Sequence, residues 1–185
     1  MNLQASVFIA TSLDGYIARE NGDVDWLIAA NTQVPAGEDC GFFVFMESVD
    51  VLVMGTRSFE KVLSFGEWPY GEKAVVVLSH RNLTIPGPLQ NTITLSSESP
   101  AALCDRLSQN GVKRLYVDGG AIIQSFLKAG LLTDFTITAI PVLLGKGIPL
   151  FGDLEADLPL EHQETKVYDF GFVQSKYRMN PHLSR

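Results

Sequence analysis

Three runs in the middle of the chain, Val51-Leu52-Val53-Met54, Val75-Val76-Val77-Leu78 and Leu115-Tyr116-Val117, are apolar at every position and not at every second one. Side chains on a strand alternate between its two faces, so a run of this kind must be dry on both. Such strands belong to a largely parallel sheet with helices packed against each side. The strand-like segments are Ser6–Ala10, Val49–Met54, Lys73–Leu78, Arg114–Val117 and Thr133–Ile140. The last alternates, with Phe135, Ile137 and Ala139 set against Asp134, Thr136 and Thr138, which predicts one dry and one wetter face.

Helical segments fall between these runs. Glu38–Ser48 carries Phe42, Phe43, Phe45 and Met46 as a wide apolar stripe, and Arg57–Leu63 is short. Ser99–Asn110 opens with Ser99 as an N-cap and Pro100 at the first helical position, and stops before Gly111. Ala121–Ala129 stops at Gly130. Near the end, Thr165–Asp169 and Phe172–Tyr177 flank Gly171 and read as an antiparallel hairpin. Ile85–Pro88 and Gly145–Gly152 are loops within the domain. The fold class expected is α/β with three layers, a mostly parallel central sheet and an antiparallel C-terminal hairpin, as one domain over residues 1–180.

Composition excludes several function classes. The 46% hydrophobic content of these 185 residues rules out a chain too polar to build a core. Fourteen Lys and Arg against 21 Asp and Glu leave a net charge of −7, which argues against a nucleic-acid surface. Cys40 and Cys104 form no C-x-x-C pair and no histidine cluster has ligand spacing, so two ordinary reduced thiols and no metal are expected. His162 and His182 read as exposed loop or tail residues, and Glu155–Asp157 as an acidic surface turn. The N-terminus has no signal-peptide pattern, and no apolar run approaches the roughly 20 residues of a membrane span. A cytoplasmic location is the resulting expectation.

Three strand ends carry residues suited to an anionic dinucleotide. In Gly55-Thr56-Arg57-Ser58 a buried strand runs through glycine into a helix start bearing two hydroxyls and a guanidinium. Glycine allows close approach to the backbone, and the free amides of a first helical turn attract phosphate. Leu78-Ser79-His80-Arg81 could grip the adenosine 2′-phosphate that separates NADPH from NADH. Asp118-Gly119-Gly120-Ala121 joins strand to helix through paired glycines, although G-x-G-x-x-G is absent. Each segment also reads as an ordinary turn, with a solvated arginine, a stray basic pair or tight helix packing. Ligands of parallel sheets gather at strand C-terminal ends, so the three together carry more than any one.

At this point the motifs resemble a known superfamily. Ser12-Leu13-Asp14-Gly15-Tyr16-Ile17-Ala18 is similar to the S-L-D-G-x-x-A signature of the riboflavin-pathway reductase, the RibD C-terminal domain. Val53-Met54-Gly55-Thr56-Arg57 resembles the V-M-G-R-x-T element of dihydrofolate reductases. Asp118-Gly119-Gly120-Ala121 with Phe126-Leu127 is similar to their shared G-G-x…F-L element. Pro141–Gly147 with Leu150-Phe151 resembles the P-x-L-x-G-x-G…L-F run of the riboflavin branch. The matches run in the family's order from Val7 to Phe151.

The resemblance implies NADPH as cofactor and a small heterocyclic substrate. Ala10, Gly15 and Ile17 would border the nicotinamide, and Gly55, Thr56, Arg57 and Ser58 would hold phosphates. Leu78, Ser79, His80 and Arg81 would face the adenosine side, while Asp118, Gly119, Gly120, Ala121 and Ile122 would close over the pyrophosphate. On the substrate side, Trp26 follows Asp25 where dihydrofolate reductases have Pro-Trp, and lines the ring pocket or anchors the core. Asp39 and Phe43 stand four residues apart on the expected helix, which makes Asp39 the candidate acid and Phe43 and Thr136 candidate pocket residues. Glu38, Asp39 and Cys40 also suit an acidic helix start, and Asp14 suits an Asp-Gly turn.

The expected activity is NADPH-dependent reduction of a C=N or C=O bond in a pyrimidine- or pteridine-like ring. Reduction of 5-amino-6-(5-phosphoribosylamino)uracil leads, although the H-x-E and P-C-x-x-C elements of a zinc deaminase are missing. Folate or pterin reduction, a flavin- or antibiotic-modifying reductase, and a ligand-binding member that reduces nothing stay open. Apolar residues of the terminal hairpin (Val167, Phe170, Phe172, Val173) point to a homodimer.

Overall fold

The computed structural model describes residues 3–179. Strand β1 (Gln4–Ser12) leads through a short β2 (Tyr16–Ala18) to helices α1 (Asp25–Asn31) and α2 (Phe42–Glu47). Then come β3 (Val51–Gly55), α3 (Thr56–Leu63), β4 (Ala74–Leu78) and β5 (Ile93–Ser96). These are followed by α4 (Pro100–Gln109), β6 (Arg114–Asp118), α5 (Gly120–Lys128) and β7 (Asp134–Ile140). The short β8 (Ile148–Pro149) and the hairpin β9 (Leu160–Val167) and β10 (Val173–Met179) complete the order.

The main sheet runs β5-β4-β3-β6-β1-β7-β10-β9. Its first six strands are parallel, and β10 and β9 add antiparallel pairs at one side. The alternation along each strand divides the core. Val51 and Val53 face α4 and α5, packing with Leu103, Ile123 and Phe126. Leu52 and Met54 face α2 and α3, packing with Phe45 and Phe59. A third cluster holds Trp26 from α1 against Ile140, Tyr168 and Phe172. Both sheet faces are therefore covered, as the all-apolar runs require.

The expected elements are present, with differences that have local causes. Ser99 caps α4 by accepting the Ala102 amide at 3.3 Å, and Gly111 beyond its end has φ 83°. Helix α2 starts at Phe42 and not at Glu38, because Cys40 (φ 56°) and Gly41 (φ 83°) lie in the left-handed region and break the path. The threonine face of β7 is not wet: Thr136 and Thr138 are both buried. β9 begins at Leu160, so His162 lies exposed on a strand, where its ring meets Thr165 Oγ1 at 2.7 Å. His182 lies outside the described residues.

Cys104 sits in α4 within the core, and burial pushes its thiol up to about 11. A folded chain should therefore resist maleimide at Cys104 at neutral pH and react there only after denaturation. Mass mapping of the labelled cysteines checks this; rapid labelling of Cys104 in the native protein contradicts the packing.

Candidate active site

The parallel strands bring their C-terminal ends to one edge of the sheet. β3 and β6 are neighbours, with Met54 opposite Asp118, so Gly55 and Gly119 lie side by side. Beyond them the chain departs in opposite directions, into α3 on one face and α5 on the other. Adjacent strands whose helices leave to opposite faces open a crevice between their ends. A Cβ on Gly119 (φ 87°) would collide with the Ser58 hydroxyl, and one on Gly55 would come within 3.0 Å of Ile122. The glycines thus let two helix starts approach closely. Neither start has a capping side chain, so the amides of its first two residues stay free for an anion, while the Ile122 amide of α5 donates to the Gly119 carbonyl at 3.0 Å. Arg57 is exposed beside them and forms no ion pair among the described residues.

One strand further, the sheet divides. β1 and β6 pair only from Gln4–Ser6 against Arg114–Tyr116, while β1 stays paired with β7 as far as Ser12 and Ile140. The Tyr116 hydroxyl spans the start of the opening, 3.0 Å from the Phe8 carbonyl and 3.3 Å from Asp118 Oδ1. The strand's period of two aims the Ala10 amide and carbonyl at the same gap as the Phe8 carbonyl. Burial raises the Asp118 carboxyl above its ordinary value, against the opposing pull of the Tyr116 hydroxyl and the Gly119 amide.

Two loops close over this edge. Asp14 accepts the Leu144 amide at 3.1 Å and the Gly145 amide at 2.7 Å, and Ser12 Oγ at 2.6 Å. These bonds, led by Ser12, hold its carboxyl below the usual range. Asp14 is thus a clamp between the loop after β1 and the loop after β7, in keeping with its reading as a turn residue. The clamp supports pairing of β2 with β8, and Gly15 accepts the Leu150 amide at 3.0 Å. Ile17 lies over the start of α5, 2.8 Å from where a Gly120 Cβ would sit.

On the α1 and α2 side, an open cleft of about 450 Å3 lies over the C-terminal halves of β1 and β7. Phe8, Ala10, Thr138 and Ile140 form its floor. Leu27, Asn31 and Phe42 cover it, with Glu38 and Asp39 at the rim. Three expected pocket residues stand elsewhere. Trp26 is 5% exposed and packed in the core beneath, so it is the anchor and Leu27 lines the cleft. Phe43 is 66% exposed and turned away, because α2 begins after Asp39 and presents Phe42 inward. Thr136 is buried one row back, and Thr138 takes the lining position. Asp39 does reach the cleft, yet both its oxygens accept amides at the start of α2, Gly41 at 2.8 Å and Phe43 at 2.7 Å. Glu38, Phe42 and Phe172 went unidentified as lining residues; only the sheet order β1-β7-β10 brings their segments together.

The basic cluster continues this edge. Leu78 pairs with Gly55, which places Ser79, His80 and Arg81 beside the start of α3. Ser79 Oγ accepts the Arg81 amide at 2.9 Å, and the Arg81 guanidinium reaches Glu60 at 3.3 Å with both side chains more than half exposed.

The sequence profile of the RibD C-terminal domain matches residues 5–173. The chain belongs to that family. YwjB, an uncharacterized Bacillus subtilis protein, is 34% identical over 91% of this chain and 94% of its own. YyaP of the same organism, also uncharacterized, is 29% identical over 93% of each. A Shewanella sp. PV-4 crystal structure named for riboflavin biosynthesis superposes with a TM-score of 0.89 at 40% identity, over 96% of this chain and 99% of that one. A Thermotoga maritima deaminase/5-amino-6-(5-phosphoribosylamino)uracil reductase shares the fold at 15% identity, with a TM-score of 0.70 over 97% of this chain and 57% of that longer one.

Within this RibD C-terminal domain, Asp14 ties the two covering loops. Asp14→Ala should speed hydrogen exchange at the Leu144 and Gly145 amides while the β1–β7 ladder keeps its protection. Unchanged exchange at those two amides would refute the clamp.

Proposed function

We propose that the chain is a single-domain, NADPH-dependent reductase acting on a small pyrimidine- or pteridine-like heterocycle. One observation carries this reading: two uncapped helix starts meet where β1 and β6 separate, next to a largely apolar cleft. The donor set fits a dinucleotide. Free amides of α3 and α5, with Ser58 and Arg57, would hold its phosphates. Ser79, His80 and Arg81 would take the 2′-phosphate, and the Ala10 backbone would orient the carboxamide end of the ring. When bound, NADPH supplies the hydride; the protein positions the partners and excludes water. Phe8, Phe42 and Ile140 perform that exclusion on the cleft side.

The name of the Thermotoga maritima relative sets the reference reaction, reduction of a phosphoribosylamino uracil, with folate or pterin reduction second. Loss of reduced-nicotinamide absorbance with a heterocycle supports the enzyme; tight NADPH binding without turnover by any ring would make the chain a binding member of its family. Arg57→Ala should weaken both nucleotides, since the pyrophosphate is common to them, whereas Arg81→Ala should weaken NADPH by roughly tenfold and NADH much less, since a charge-assisted bond to the 2′-phosphate is lost. Equal losses for both nucleotides on Arg81→Ala reject the 2′-phosphate assignment.

A homodimer and a cytoplasmic setting belong to the same reading. β9 closes one side of the sheet with every residue exposed, Val167 at 71% among them. An unpaired strand edge with exposed apolar side chains invites a second copy. Light scattering should give twice the chain mass, and Thr165→Pro should reduce it to one. A single-chain mass for the unaltered protein refutes the dimer.

A further inference from the structure

The floor of the cleft does not stop at β7. Strand register carries one row of side chains across the sheet: Ala10 lies opposite Thr138, Thr138 opposite Gln174, and Gln174 opposite Lys166. A second row runs from Phe8 through Thr136 to Lys176 and Glu164. The far ends of both rows line a recess of about 240 Å3, and Cys40 lines the recess and the cleft alike. Strands lie about 4.8 Å apart within a sheet, so Lys166 rises from the floor roughly 14 Å from Ala10.

The neutral donors of the recess are already spent. Gln174 Nε2 donates to the Cys40 carbonyl at 2.9 Å and to Thr138 Oγ1 at 3.0 Å. The Cys40 amide goes to Glu38 at 2.6 Å and the Gly41 amide to Asp39 at 2.8 Å, and the Tyr168 hydroxyl is bonded to the Cys40 thiol. Glu38 and Asp39 themselves line the cleft and not the recess. Two ammonium groups remain. Lys166 holds its Nζ 4.1 Å from the centre of the Tyr168 ring and forms no ion pair among the described residues. Lys176 meets Glu164 at 2.8 Å with both side chains about half exposed, and a pair so well hydrated is held weakly. A recess whose uncommitted donors are cationic suits an anion, and the oxygens of a phosphate monoester can engage both ammonium groups at once.

We propose that this recess seats the phosphate of a phosphorylated substituent on the substrate ring, held between Lys166 and Lys176. The inference rests on the reading of the cleft as the substrate pocket of the reductase. A ring over Ala10 and Thr138 directs its substituent along the row toward Gln174. The arm passes beside Cys40, and a pentose phosphate ends between the two lysines. The terminal hairpin thereby joins the binding site, at the opposite end of the sheet edge from Arg57 and Arg81.

Calorimetric titration of the full chain, with NADP+ present to fill the dinucleotide groove, tests it. The probes are uridine and uridine 5′-monophosphate. The monophosphate should bind roughly tenfold more tightly than uridine, the gain of a charge-assisted contact. Lys166→Met and Lys176→Met together should bring it down to the level of uridine, and Lys166→Met alone should remove part of the gain. A thermal midpoint close to that of the unaltered chain shows that each variant is folded. Three results overturn the proposal: no binding of the monophosphate at millimolar concentration, a monophosphate no tighter than uridine, or an advantage that survives in the double variant. A separate titration with NADP+ alone distinguishes the two readings. Failure there sinks the reductase, while a lysine-dependent preference for the monophosphate still reports on the recess. NADP+ binding without that preference sinks only the phosphate seat.

Discussion

The constraint on which the rest of the molecule turns is the early end of the ladder between β1 and β6. After Ser6 and Tyr116 the two strands stop pairing, although each remains bonded to its other neighbour. Buried backbone groups cannot be left without partners, so a sheet opened in the middle must supply them from elsewhere. The Tyr116 hydroxyl does this for Phe8, and its ring fills the space behind, edge-on to Phe45 at 5.1 Å between centroids. Past that point the Ala10 backbone borders an opening and not a ladder. The crevice between the starts of α3 and α5 and the cleft over β7 both border this opening.

Much of this architecture was legible in the sequence because it depends on local rules. Strands apolar at every position have to be buried twice, and Val51–Gly55, Ala74–Leu78 and Arg114–Asp118 are the inner strands of the sheet. Ser99, Pro100 and Gly111 delimit α4 through capping geometry, and Gly171 (φ 95°) turns the terminal hairpin. What escaped notice depends on distant partners. β2 and β8 are three and two residues long, and Asp14 and the Gly15–Leu150 backbone bond join their loops across the fold. β5 and α1 are short segments with weak periodicity, each fixed by the surface it covers.

The site divides along the same line. Glycine-marked strand ends announced the groove, because close approach of two helix starts excludes side chains at Gly55 and Gly119. The ring pocket was harder to read. A helix register one residue different exchanges Phe43 for Phe42, and the left-handed backbone at Cys40 sets that register. Thr136 and Thr138 share a face of β7, so only the position of the covering α1 decides between them. Trp26 shows the same limit: its helix turns Leu27 to the cleft and the indole to the core.

Charge then gives the groove a direction. Although the chain carries a net −7, Arg57 and Arg81 stand together at the β3 and β4 end, and Glu38 and Asp39 stand at the β7 end. The Arg81–Glu60 pair is exposed, and pairs of that kind contribute about 0–1 kcal/mol, so a phosphate can displace the carboxylate at little cost. Under the proposed function, a ligand with an anionic and an uncharged end would therefore be favoured in one orientation, phosphates toward Arg57 and Arg81 and ring toward the opening at Ala10. The reverse orientation would set phosphate against the two rim carboxylates. Orientation by charge at both ends requires no contact specific to the reacting atoms, which leaves the backbone at the divided ladder to set their final alignment.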